Sequence, residues 1–219
     1  MLVEVLISIA LVRNAIVTKK FISFLSFFFT LGLIFDAIII GIGTVVAREA
    51  IYAISPIRFI AHGMLIPLLL PICGYALKLQ RKLMVIVWAV TIILMVAGIA
   101  GAFATDLKVI EFAGVVRCAS TDDTPDWAKT ISSLLSFGTV IPMMIAGIFA
   151  WIKQGNKYLF LSGFFMLIFS AIGPATGNTD LIFFISMFGE LLLILFLLLF
   201  IKKDDSMSKE KTIELTHKK

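Results

Sequence analysis

Leu83-Met84-Val85-Ile86-Val87-Trp88-Ala89-Val90-Thr91-Ile92-Ile93-Leu94-Met95-Val96-Ala97-Gly98-Ile99-Ala100-Gly101-Ala102-Phe103-Ala104-Thr105 contains no charged side chain from end to end. A helix advances about 1.5 Å per residue, so this stretch is long enough to cross a hydrocarbon layer about 30 Å thick. Inside that layer the backbone must satisfy its own hydrogen bonds, which selects a helix.

Six further apolar stretches flank it, at residues 2–17, 21–47, 57–77, 130–152, 158–176 and 180–201. The expected architecture is therefore all-α: a polytopic transmembrane bundle of about seven spans over residues 1–201, followed by a charged, flexible, cytoplasmic tail over 202–219. Composition agrees: 60% of the 219 residues are hydrophobic and 15% charged, with a mean hydropathy of +1.07. Ordinary soluble domains do not reach such a balance, and seven spans leave no room for a separate soluble domain.

The first stretch is the least typical span, because it is short and carries Glu4, Arg13 and Asn14. Its acid precedes its apolar run and Lys19-Lys20 follow, the reverse of a cleavable signal peptide. Basic clusters at Lys19/Lys20, Lys78/Arg81/Lys82, Lys153/Lys157 and Lys202/Lys203 all follow odd-numbered stretches. By the positive-inside rule this alternation predicts an extracytoplasmic N-terminus and a cytoplasmic C-terminus, with a bacterial cytoplasmic membrane as the default location. The longest connection, 106–129, then lies outside and contains the turn-forming Asp122-Asp123-Thr124-Pro125-Asp126.

The net charge of +5 sits in those interfacial clusters rather than along one face, so the bilayer and not nucleic acid is the expected partner. Cys73 lies in an apolar run and Cys118 in a polar connection, different depths that argue against a disulfide. Of the two histidines only His62 lies within a span; a three-histidine metal centre and bis-histidine haem ligation in the bundle are thereby excluded. Asp36, His62 and Glu190 have ligand types that suit zinc, but their spacing is not diagnostic, and neither metal nor cofactor is expected. The last stretch has no interior lysine for a retinal Schiff base, and no P-loop, G-x-S-x-G, H-E-x-x-H or nucleotide fingerprint occurs.

Ionisable groups are costly in a membrane and collect around cavities or each other. Asp36, Glu190, His62, Arg58, Arg13 and Asn14 are accordingly the candidate substrate-binding or proton-coupling residues. Measured from the outer ends of their stretches, Asp36 and Glu190 fall roughly 15 Å deep and His62 roughly 8 to 9 Å. Arg13 and Asn14 fall roughly 18 to 20 Å deep, which puts Arg13 within reach of either acid. Arg58, one turn before His62, is expected near the outer interface, where it snorkels. Gly32, Gly43 and Ala47 near Asp36, and Gly163, Ser170, Gly173 and Gly177 in the sixth stretch, fit close helix packing. Gly173-Pro174-Ala175-Thr176-Gly177-Asn178 reads as a helix stop or as a broken helix end lining a cavity.

A transporter or permease for a small molecule is the leading functional expectation. An intramembrane enzyme acting on a lipid or isoprenoid, lacking an obvious nucleophile, and a non-catalytic immunity, assembly or sensory subunit with a membrane protein partner are the alternatives.

Overall fold

A computed structural model describes residues 2–112, 114–175 and 179–217. The chain is mostly helical, and helices occupy all seven apolar stretches. They are α1 (Leu2–Thr18), α2 (Phe21–Ile42), α3 (Arg48–Leu65), α4 (Leu69–Ala76), α5 (Arg81–Ala104), α6 (Asp126–Gln154), α7 (Tyr158–Ala175) and α8 (Thr179–His217). A single 3-10 turn, Ile66–Leu68, joins α3 to α4, so the two form one rod, Arg48–Ala76.

Five helices are long and apolar enough to cross a membrane: Phe21–Ile42, Arg48–Ala76, Arg81–Ala104, Asp126–Gln154 and Ile185–Glu210. Tyr158–Ile172 is a shorter apolar helix, and α1, with Glu4 and Arg13, is not among the five. α5 shows why lipid is the fitting solvent. Only 17% of its most apolar window is buried, and Ile93 and Phe103 are among the large side chains it turns outward. Such a surface has hydrocarbon, not water, as its low-energy neighbour.

The core runs between α1, α2, α4, α6, α7 and α8 and includes Leu11, Phe29, Ile72, Met143, Leu159 and Leu197. Aliphatic contact alone orients helices weakly in lipid, so interhelical hydrogen bonds add direction. Ser162 Oγ of α7 donates to the Leu193 carbonyl of α8 at 2.6 Å. The fully buried Asn156 donates to the Phe200 carbonyl at 2.9 Å.

Several expectations need correction. The second stretch stops as a helix at Ile42, not 47, because Gly43 and Thr44 begin a turn although the composition stays apolar. The third begins at Arg48, not 57. Arg48, Glu49, Ser55 and Pro56 therefore belong to a helix rather than a loop. Ile51, Ser55, Arg58 and His62 recur at 4-3-4 spacing, which puts them on one helical face. Pro56 removes one backbone donor, a loss that the flanking turns tolerate.

The all-α expectation omits a β-hairpin in the long connection, β1 (Leu107–Phe112) paired antiparallel with β2 (Val115–Ser120). Gly114 supplies the positive φ of 78° at its turn. The hairpin covers the bundle end where α2 stops and α3 starts. Val116 N donates to the Gly43 carbonyl, and Glu111 pairs with Arg48. Cys118, on β2, is buried, and both cysteines are free.

The tail departs from expectation as well, since α8 continues through His217. Its first charged turn is anchored. Lys20 Nζ lies 2.8 Å from Asp204 Oδ2 and 2.6 Å from Asp205 Oδ1, Lys78 lies 3.1 Å from Asp204, and Asn14 donates to Asp205 at 2.6 Å. Lys203 reaches the Gly155 carbonyl at 2.8 Å. The connections carrying the four basic clusters thus meet at the end opposite the hairpin.

Burial acts to lower the pKa of Lys20, but hydrogen bonds and charge from Asp204 and Asp205 outweigh it and hold the ammonium above the ordinary 10.5. A raised folded value means the fold binds this proton more tightly than the unfolded chain does. Its stabilisation is therefore complete below 10.5 and is lost as pH rises through the higher folded value. Alkaline unfolding titrations should show wild type losing more stability through that range than Lys20→Met.

Candidate functional site

Three helices carry the polar centre. Asp36 sits on α2, roughly 9 Å along the axis from its Ile42 end, and is 3% exposed. Arg58 and His62, one turn apart on α3, face it. Arg58 Nε donates to Asp36 Oδ1, and His62 Nδ1 lies 3.6 Å from the same oxygen. Glu190, roughly 16 Å along α8 from Thr179, stands within electrostatic reach of Asp36, Arg58 and Glu4.

This geometry revises the expected pairings and depths. Arg58 does not snorkel: its side chain is 15% exposed and forms the ion pair with Asp36. Because α3 starts at Arg48, His62 lies roughly 21 Å along its rod, and Asp36 is shallower along α2 than expected. Arg13 and Asn14 belong elsewhere. They line the α1/α8 groove beside Asp205, at the end away from the hairpin. There Asn14 also accepts from Ser23 Oγ at 2.6 Å, a structural tie.

Two cavities meet at His62. The larger, about 160 Å³, opens between α3, α5 and α6 and is lined by Arg58, His62, Thr105, Ser132 and Ser136. The smaller, about 50 Å³, is lined by His62, Ser136, Thr139, Ser170 and Glu190 amid leucine and phenylalanine side chains. His62 and Ser136 border both. The larger cavity also depends on a close crossing, in which Gly63 of α3 lies directly against Gly98 of α5.

Glu4 lies outside the candidate set. It is 3% exposed on α1, and an acid within an apolar stretch was its only signal. Asp36, Arg58 and Glu4 are the charged groups that act on Glu190. Within this group Arg58 forms the ion pair with Asp36. Among the described residues no three His, Cys, Asp or Glu side chains form a group able to hold a metal ion, so Asp36, His62 and Glu190 do not assemble as zinc ligands. Residues 176–178 of the Gly173–Asn178 break lie outside the described residues.

Neither a protein-family model nor a curated protein matches the chain.

Proposed function

We propose that this membrane protein is a small-molecule transporter in which Asp36, Arg58, His62 and Glu190 form a polar centre that couples substrate passage to proton exchange. All seven helices cross in this reading. The end carrying Lys20, Lys78, Lys153 and Lys203 faces the cytoplasm by the positive-inside rule, and the hairpin end faces outward, in a bacterial cytoplasmic membrane.

The observation that carries the reading is the position of His62 on the boundary of both cavities. A small polar molecule entering between α3, α5 and α6 meets Arg58, Thr105 and Ser132 first. Beyond His62 lies Glu190. Imidazole both accepts and donates protons near neutral pH, which suits it to relay a proton between Glu190 and the larger cavity. Asp36 orients Arg58 and supplies the counter-charge that keeps the guanidinium at the centre. The 3-10 turn at Ile66–Leu68 begins one helical turn after His62, and Ile66 also borders both cavities. A backbone joint at this site would let α3 and α4 move separately.

The test uses the full chain in proteoliposomes with an internal pH dye, an imposed potassium diffusion potential and a polar cell extract as the substrate source. Wild type should move protons faster with extract than without, and Glu190→Gln should lower that extract-dependent flux at least tenfold. His62→Gln should slow it while leaving folding intact. If Asp36→Asn and Glu190→Gln both leave solute uptake and proton flux at the wild-type level, the reading fails.

A further inference from the structure

A second feature, independent of the polar centre, lies in the groove between α1 and α8, a cavity of about 600 Å³ at the Lys20 end of the bundle. Its walls divide by chemistry. Leu6 and Ile9 of α1 border the groove and are 58% and 57% exposed, an apolar strip directed toward the surroundings. One turn further along the same face stands Arg13; Lys202 and Lys209 approach from α8, two turns apart and hence on one side of that helix. Asp205 is the acid in this lining, and its carboxylate is occupied by Lys20 and Asn14, each at 2.6 Å. Among the described residues Arg13, Lys202 and Lys209 form no ion pair.

We infer that this groove holds an anionic phospholipid, with the headgroup phosphate among Arg13, Lys202 and Lys209 and an acyl chain along Leu6 and Ile9. Charge complementarity identifies the headgroup: three cations face the space, and the adjacent acid is already compensated. The apolar strip identifies the rest of the molecule, because a free phosphate would leave Leu6 and Ile9 uncovered, whereas a lipid covers both walls at once. Basic grooves between helices at the membrane surface bind such headgroups by this division of labour. The bound lipid would also join α1 to α8.

Native mass spectrometry of the purified full chain, released from nanodiscs of equal phosphatidylglycerol and phosphatidylcholine, reads the preference directly. Wild type should retain phosphatidylglycerol. Arg13→Gln, Lys202→Gln and Lys209→Gln should each weaken retention about fivefold, and the triple variant should show no preference. Arg81→Gln/Lys82→Gln, a basic pair at the same end but outside the groove, should retain it as wild type does. Thermal melting shows that each variant is folded, and the single variants decide the matter if the triple is not. Equal loss in the Arg81/Lys82 variant would assign the preference to general surface charge and overturn the inference. Full competition by inorganic phosphate or glycerophosphoglycerol would make this a soluble-anion site and overturn it too, as would wild-type retention in the triple variant.

Discussion

Arg58→Met should destabilise the protein by about 3 to 5 kcal/mol, the usual consequence of leaving a buried carboxylate without its cation. Asp36 is 3% exposed and has Arg58 as its bonded partner. The double variant Asp36→Asn/Arg58→Met should recover most of that loss, since a neutral amide tolerates burial far better than a carboxylate. His62 provides an internal control. It lies 3.6 Å from the same Asp36 oxygen, so Arg58→Met/His62→Leu, which removes both neighbours, should lose more than the single variant. Equilibrium unfolding in mixed micelles measures all three effects. A change below about 1 kcal/mol in Arg58→Met would show that the pair behaves as a solvated surface contact.

Gly98→Val should cost about 3 kcal/mol, at the upper end of overpacking penalties, and should open the crossing that bounds the larger cavity. A Cβ on Gly98 would stand 2.5 Å from the Gly63 carbonyl oxygen and 2.8 Å from the Gly63 Cα. Both are backbone atoms, so no rotamer change relieves the clash and the α3 and α5 rods must separate. Gly63→Ala meets the reciprocal obstacle, with Gly98 backbone atoms at 2.5 Å. Gly41→Ala is the contrasting case, because nothing lies within 4 Å of its Cβ position; it should be neutral or slightly stabilising through helix propensity. Melting temperatures of the three variants, with solute access to a cysteine placed at Ser132, report stability and cavity accessibility separately.

The helices were legible because an apolar run of membrane length admits little else. Their ends were less so. Gly43 to Ala47 keeps the composition of α2 after the helix has stopped, while Arg48 to Pro56 has the composition of a loop but forms α3. Residue type reports solvent there, and hydrogen bonding reports structure. The hairpin left a signal in the β-branched residues on either side of Gly114, set within a connection read only for its acidic turn.

Within the candidate site, Asp36, His62 and Glu190 stood out as polar groups in apolar runs, and the structure gathers them around Arg58. Which cation faces Asp36 depends on helix rotation and rod length, and neither is encoded locally. Moving the start of α3 from 57 to 48 is enough to bring Arg58 inward and leave Arg13 to the other end. The anchoring of Asp204 and Asp205 by Lys20, Lys78 and Asn14 joins distant parts of the chain. A single charged tail carries no trace of those partners.

α8 extends for 39 residues without interruption, a span of about 58 Å, nearly twice the thickness of the hydrocarbon layer. Whichever way the chain is inserted, roughly half of this helix stands in water as a stiff spoke. The same unbroken backbone carries Glu190, fourteen positions before Asp204 and about 21 Å away. The clamp of Lys20, Lys78 and Asn14 on Asp204 and Asp205 therefore also fixes the rotational setting of Glu190 along that rod.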